Sequence, residues 1–360
     1  MDRFDRHYNL KGFGLKSQQK LQEAKVLVVG AGGLGCPILL YLASVGFGKI
    51  GIVDGDLVSE SNLSRQVLFG QNDLGKNKAE AAVQILLGKY SDIELVSIPE
   101  YLNKENIIEH LNDYDLVVDG SDNFPTRYLV NDACVLLGKP LVFGALYQNE
   151  GQVAVFNTRG IQSVNYRDIY PIPPSAHEVP NCNEAGVLGV FPGIIGSMMA
   201  SEAIKLVSGF GVILDGKMLY YNFLNHSEYK IELTKDPQSE ISRPKSANDL
   251  IQMDYQDFCG LSSQLNWEDV IPLMNEFGDT VLVDLRQSHE EPELEDIPFI
   301  RVSMDQIHLE NAELTRTNTI LLFCQTGVRS MKASKLLQEK YPDKYIRSIS
   351  GGINSFDLNL

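Results

Sequence analysis

Cysteine is scarce in this chain and never paired. Five stand at 36, 134, 182, 259 and 324, with no C-x-x-C and no close, even spacing. That excludes a disulfide framework and fits a reducing compartment, where a thiol is buried filler or a working nucleophile. Basic residues are the minority, 31 Lys and Arg against 47 Asp and Glu, and the formal charge of -16 opposes non-specific attraction to nucleic acid or an anionic membrane. The uncharged run 185–201, between Glu184 and Glu202, is seventeen residues with four glycines and a proline, short for a membrane span and better read as a loop plus a buried helix. The opening MDRFDRHYNLKGFG has neither an apolar h-region nor an acid-free Arg-rich pattern, so no targeting signal is read and a cytoplasmic protein is expected. What is present is core: 360 residues at 44% hydrophobic supply two or three domains.

The first of these is organised around KVLVVGAGGLG, 25–35. An apolar strand, Val26–Val29, runs into Gly30, Gly32, Gly33 and Gly35, and the small-residue run 36–45 reads as a helix. Glycines there allow a tight turn and a close approach of backbone to phosphate, which can sit on the free N–H groups of the helix. The next strand, Lys49–Val53, ends at Asp54 and Asp56, about where a ribose-binding acid is expected. NAD(P), FAD or ATP would each suit this pocket. Before it, Leu15–Ala24 predicts an amphipathic helix; the arm Arg3-Phe4-Asp5-Arg6-His7 is either frayed surface or brings Arg3 or Arg6 to a phosphate, possible in a partner subunit.

Downstream cations select the nucleotide. Asn62, Arg65 and Gln66 share a face in a helical segment, and Arg65 offers a five-donor fork for phosphate oxygens. Lys78 opens another helix, within reach of a β- or γ-phosphate. A dinucleotide dehydrogenase needs no such polyphosphate clamp, so ATP is favoured. Strands at 94–98, 116–120 and 140–144 then alternate with helices at 104–111 and 125–137, an α/β pattern with a mainly parallel sheet. The 116–120 strand delivers DGSDNFPTR to its carboxyl end, where such sheets place ligands. Asp122, in the loop, suits Mg²⁺ shared with substrate phosphates better than Asp119, still in the strand; Asn123 is placed to cap the next helix.

These segments, GAGGLG, DGD, NLSRQ, GKNKA and DGSDNFPTR, followed by NEGQVAVF, CNEAGVLG and GIIGSMMASEAIKLVSG, resemble the MoeB, ThiF and HesA activating enzymes and the ubiquitin E1 adenylation domain over about residues 1–230. The resemblance implies a Rossmann-like fold that binds ATP and Mg²⁺ and adenylates the C-terminal glycine of a ubiquitin-like sulfur carrier ending in Gly-Gly. It further implies a homodimer in which an N-terminal arginine, Arg6 here, enters the neighbouring ATP site. Asp54 would hold ribose, Asn62, Arg65 and Lys78 the phosphates, and Asp122 the magnesium. The carboxylate attacks the α-phosphorus without a protein base, because it is already ionised. The run Gly186–Gly196 reads as close backbone packing near the carrier or dimer surface, or as a crowded helix start.

Two features depart from or qualify that pattern. Cys182, flanked by asparagines in EVPNCNEAGVLG, is in the resembled enzymes either a thioester or acyl-disulfide partner or part of a mobile crossover loop; nothing beside it lowers its thiol pKa. Many relatives carry two C-x-x-C pairs for structural zinc near 165–168 and 236–242, where this chain reads NYRD and DPQSEIS. No structural zinc is expected, and packing or dimer contacts must hold those loops.

From 232 to 259 the composition turns polar and reads as a linker with no packed core, separating an adenylation domain, 1–231, from a smaller α/β domain, 260–360. There VLVDLR and TILLFC predict strands, and Cys324 opens CQTGVRS ahead of a helix at 329–339. Convergent backbone N–H groups, the helix N-terminus and Arg329 would stabilise a thiolate or persulfide. The C-x4-R loop is one residue shorter than a phosphatase cradle. VLVDLRQSHEE, LLFCQTGVRS and GGINSF resemble a single rhodanese domain, which implies sulfane sulfur carried on Cys324. Joined, the domains imply adenylation of the carrier, attack by the Cys324 persulfide supplied by a donor such as a cysteine desulfurase, and release of a thiocarboxylate by a thiol such as Cys182. Carriers of this kind serve molybdopterin, thiamine, cysteine or tRNA thiolation. The alternative is a non-catalytic scaffold that binds a ubiquitin-like protein and keeps a degenerate sulfurtransferase module.

Overall fold

A computed structural model describes residues 3–161, 163–171, 186–253, 255, 264–276, 278–294, 297–304, 306–307, 312–341 and 344–356. The chain divides into two compact units, 1–259 and 260–360. The first begins with helices α1 (Asp5–Tyr8) and α2 (Gly14–Glu23), then alternates β1 (Lys25–Val29), α3 (Gly35–Val45), β2 (Lys49–Val53), α4 (Lys78–Leu87), β3 (Glu94–Ile98), α5 (Ile107–Asn112), β4 (Leu116–Asp119), α6 (Phe124–Leu137) and β5 (Leu141–Tyr147). It continues through β6 (Glu150–Phe156), β7 (Thr158–Ile161), α7 (Val190–Ser208), β8 (Lys217–Asn222), β9 (Glu228–Glu232), α8 (Pro237–Ser242) and α9 (Ala247–Gln252). Among the described residues one sheet runs β3-β2-β1-β4-β5-β6-β8-β9, its first five strands parallel and the last three antiparallel. This is the Rossmann-like, mainly parallel α/β arrangement that the strand–helix alternation predicts.

β1 explains its own composition. Val26 and Val28 enter a core with α3 and α7, whereas Leu27 and Val29 enter a second core with α5 and α6. A strand covered on both faces leaves no position for a polar side chain. The apolar helix α7 has the length and composition of a membrane span. Here Phe191, Ile195, Met199 and Ala203 are buried in the core it shares with α3. A Cβ on Gly196 would stand 2.5 Å from the Leu34 carbonyl oxygen, so the two helices meet backbone to backbone. Within the run 186–196, Gly189 and Gly196 pack closely, against the Ser64 and Leu34 carbonyls, whereas Gly186 and Gly193 have open space beside them.

The polar stretch 232–259 departs from the expectation of an unpacked linker. Asp236 caps α8 through the Gln238 N–H and Ser246 caps α9 through the Asp249 N–H. Leu250 and Tyr255 are buried in the core that holds Tyr128 and Leu129. The Tyr255 hydroxyl donates to Asp132 Oδ2 at 2.8 Å, and Arg167 grips the same carboxylate with two 2.7 Å bonds. Two well-placed anchors fasten a segment that has no apolar run. The loops 165–168 and 236–242 are likewise joined: Asp168 Oδ1 accepts from the Asp236 N–H at 3.0 Å and from the Ser239 hydroxyl at 2.6 Å. Hydrogen bonds thus supplement the packing expected to hold them.

The second unit contains β10 (Gln264–Leu265), α10 (Trp267–Glu276), β11 (Thr280–Asp284), β12 (Ile300–Arg301), α11 (Ala312–Arg316), β13 (Thr319–Phe323), α12 (Val328–Lys340) and β14 (Tyr345–Ile349). Its parallel sheet runs β10-β14-β13-β11-β12. All of β13 is buried, with Trp267 set edge-on against Phe323 and bonded through Nε1 to the Gly352 carbonyl at 2.7 Å. That rigid strand carries Cys324 at its end.

Candidate functional site

In the first unit the carboxyl ends of β1, β2 and β4 open into a cavity of about 560 Å³. Gly30, Gly32 and Gly33 form its floor, and Gly35 lies behind them at the start of α3. Gly30 has φ +85°, and a Cβ on Gly35 would collide with the Gly30 carbonyl oxygen. The turn therefore closes only with glycine at both ends. Asp54 splints it from β2: Oδ2 accepts the Ala31 N–H at 2.8 Å and Oδ1 the Asp56 N–H at 2.9 Å. Burial pushes the Asp54 carboxyl up, against the opposing pull of Lys78 and those backbone donors.

The opposite wall carries the cations. Asn62 and Arg65 line it from a 3₁₀ turn, Glu60–Asn62, and the bends after it, a tighter path than the helix expected there. Arg65 donates to the Ser61 carbonyl at 3.2 Å; Gln66 is buried with its Oε1 unpartnered. Lys78 sits at the first position of α4, which Asn77 caps by accepting the Ala79 and Glu80 N–H groups. The residue is 5% exposed, and its ammonium lies 2.7 Å from Asp56 Oδ2. Asp56 Oδ1 also takes the Tyr101 hydroxyl at 2.5 Å. Burial raises the Asp56 carboxyl, but Lys78 and Tyr101 together outweigh it and hold the group below the usual carboxylate range. Asp56 thus serves the lysine, while Asp54 serves the loop.

On the β4 side, Asp122 is exposed at the cavity rim, and Asp119 is buried behind it with Oδ1 on the Ser121 N–H at 2.9 Å. Asn123 caps α6 by accepting the Thr126 N–H at 2.9 Å. An exposed carboxylate at the rim of a cavity also lined by Asn62, Arg65, Gln66 and Lys78 suits a Mg²⁺ that keeps its waters and shares phosphate oxygens. Among the described residues no cluster of three or more His, Cys, Asp or Glu forms a metal cage. Arg6 is exposed on α1 and does not line the cavity of its own chain. Cys182 lies outside the described residues.

In the second unit Cys324 directly follows β13 and is buried in the turn into α12, with Gly327 at φ +85°. The Ser330 hydroxyl points at the sulfur from 3.7 Å and shares a 2.7 Å bond with Ser348. Burial raises the thiol, yet the Ser330 backbone and hydroxyl and the Thr326 and Arg329 N–H groups bring it below its ordinary value. Arg329 is clamped by Glu290 through bonds of 2.8 and 2.5 Å. That guanidinium holds the Glu290 carboxyl at about 2. Sequence reasoning missed Tyr101, Glu290, Ser330 and Ser348. No local spacing pointed to Glu290, whose partner Arg329 lies 39 residues on, or to Tyr101.

Comparison with known proteins follows the same division. The ThiF family model matches residues 4–242. The chain belongs to the ThiF family. It is 40% identical over 345 residues to the probable adenylyltransferase/sulfurtransferase MoeZ of Mycobacterium tuberculosis, across 92% of this chain and 86% of that protein. The adenylyltransferase and sulfurtransferase MOCS3 of Xenopus laevis is 34% identical, across 99% and 86%. The sulfur carrier protein adenylyltransferase of Thermus thermophilus is 47% identical over 264 residues, across 72% of this chain and 97% of its own. MccB of E. coli, solved with ATP, has a TM-score of 0.57 over 66% of this chain and 73% of that one; at 23% identity it speaks for the fold. This ThiF protein is thus an enzyme chain of two parts, an E1-like adenylyltransferase joined to a rhodanese-like unit.

Proposed function

We propose that the chain activates the C-terminal glycine carboxylate of a ubiquitin-like sulfur carrier with ATP and then converts it to a thiocarboxylate. The observation that carries this reading is the pair of sites on one chain: a glycine-floored cavity flanked by Arg65, Lys78 and Asp122, and a thiol whose anion is met by converging N–H groups. The names of its two-part relatives support it. In the first reaction a carboxylate oxygen bonds to the α-phosphorus and the bond to pyrophosphate breaks. Arg65 and Lys78 orient and neutralise the phosphates, with Lys78 leaving Asp56 to do so. Mg²⁺ held through Asp122 would supply further charge neutralisation on phosphate oxygens. Asp54 and Asp56 take the ribose side, and no structural zinc is required.

In the second reaction a persulfide on Cys324, loaded by a donor such as a cysteine desulfurase, attacks the acyl carbon and expels AMP, giving an acyl disulfide. A thiol, with Cys182 as the candidate, then attacks the Cys324 sulfur; the carrier leaves as thiocarboxylate and a disulfide is left for a cellular reductant. The enzyme acts in the cytoplasm as a homodimer, with Arg6 completing the neighbouring ATP site. ATP–pyrophosphate exchange with a Gly-Gly carrier, and carrier mass after addition of persulfide donor, test the two halves separately. Exchange together with a 16 Da gain on the carrier is expected; a purified protein giving neither would leave a binding scaffold as the better account.

A further inference from the structure

Arg127 is a buried cation of the first unit with no assigned task. It lies in the first turn of α6, where the helix dipole is positive and a cation is disfavoured. It is 6% exposed, so its charge is largely out of water. Its Nη2 donates to the Ser121 carbonyl at a long 3.4 Å, the Tyr166 hydroxyl also bonds to the guanidinium, and its Nε is buried without a partner. The rings of Phe124 and Phe143 lie 5.1 and 5.9 Å from the guanidinium carbon and keep it dry. Asp119 and the Tyr166 hydroxyl act on its charge from behind, but Asp119 Oδ2 is itself unpartnered. Even so, Arg127 and the Ser121 beside it line the nucleotide cavity next to Asp122. A purely structural arginine would be closed by a carboxylate, as Arg167 is by Asp132.

We propose that Arg127 receives the substrate's terminal carboxylate and aims one of its oxygens at the α-phosphorus. The proposal rests on the adenylation reading. A planar carboxylate matches the free side of the guanidinium in a way a single ammonium cannot, and a desolvated fork strengthens the bond. Arg65 and Lys78 stand on the other wall with the phosphates, so the two anions that must meet are received from opposite sides. The incoming carboxylate offsets the helix dipole and the burial together.

The test uses the full chain, a small ubiquitin-like carrier ending in Gly-Gly, and the same carrier made with a terminal carboxamide. Arg127→Ala and Arg127→Lys are compared with the parent for binding of both carriers, for binding of a non-hydrolysable ATP analogue and for carrier-dependent exchange. The expected result is a loss of about tenfold or more in affinity for the carboxylate carrier with either variant. Carboxamide binding and analogue binding stay unchanged, and exchange shows a raised carrier KM. Equal loss for both carriers, or loss of analogue binding instead, would overturn the proposal while leaving adenylation intact. A parent protein without carrier-dependent exchange would overturn the adenylation reading and this proposal with it. Arg127→Lys keeps charge and bulk, so a folding failure confined to Arg127→Ala leaves the comparison in force.

Discussion

Asp119 and Asp122 are three residues apart, and their surroundings give them opposite work. One is buried and fixes the loop by accepting the Ser121 N–H; the other is exposed at the cavity rim and free to meet a hydrated metal ion. Asp122→Ala should therefore leave the melting temperature near that of the parent while lowering carrier-dependent pyrophosphate exchange by at least about tenfold, roughly 1.4 kcal/mol of transition-state stabilisation. Normal exchange at saturating ATP and Mg²⁺ would remove Asp122 from the site. Cys324→Ser should do the reverse, preserving exchange and abolishing the thiocarboxylate, since Arg65, Lys78 and Asp122 line the nucleotide cavity of the first unit and Cys324 belongs to the second.

The same sulfur has a pH signature. A thiol held below its ordinary value is an anion over a wider range, so alkylation of Cys324 should persist as pH falls below the point where a free cysteine becomes inert, and fade only through its own lower pKa. Ser330→Ala should move that fade to higher pH by removing one donor. Glu290 stays charged throughout: its carboxyl is lowered to about 2, so whatever the clamp on Arg329 contributes is fully present above the ordinary carboxylate value and lost only as pH drops through about 2. A plot of alkylation rate against pH for parent and Ser330→Ala, with unchanged midpoints, would count against the hydroxyl.

At the scale of elements, the β1–α3 turn combines the Asp54 splint with direct backbone contact between its two ends. A methyl group at position 35 has nowhere to go except into the Gly30 carbonyl, which is itself in a left-handed conformation tied by its N–H to Val53. Gly35→Ala should weaken ATP binding and lower the melting temperature together, because loop and helix start cannot shift independently. Retained ATP affinity in that variant would show that the turn can relax. α8 and α9 teach a different lesson about elements. Their sequence is polar and reads as linker, since periodicity needs several apolar residues to register, whereas two anchors and a buried carboxylate suffice to dock them.

For the whole molecule, the consequence is where the chain can be cut. A truncation at residue 249 removes Leu250 and Tyr255, opens the core around Tyr128 and leaves Asp132 short of one donor. One after residue 259 keeps both. The shorter form should be less stable by several kcal/mol, the usual cost of emptying a large buried side chain, and the longer form should retain pyrophosphate exchange without making thiocarboxylate. Equal melting temperatures for the two truncations would refute the anchoring role of 250–255.

By itself the sequence determined the order of strands and helices, the glycine turn, the loops bearing Asp122 and Cys324, and membership of the family. The turn and the two loops are each written within about ten neighbouring residues, where spacing, glycine and the end of a strand are physically sufficient, and the family by several such motifs in order. The tertiary structure alone decided the rest. Asp54 and Asp56 divide their labour because one meets Ala31 and the other Lys78 and Tyr101. Arg127 is buried and short of partners, and 236–255 folds back on Asp132 and Asp168. These outcomes join residues tens of positions apart, and whether a charge is satisfied, strained or waiting depends on which group stands within 3 Å of it, a distance that no local pattern encodes.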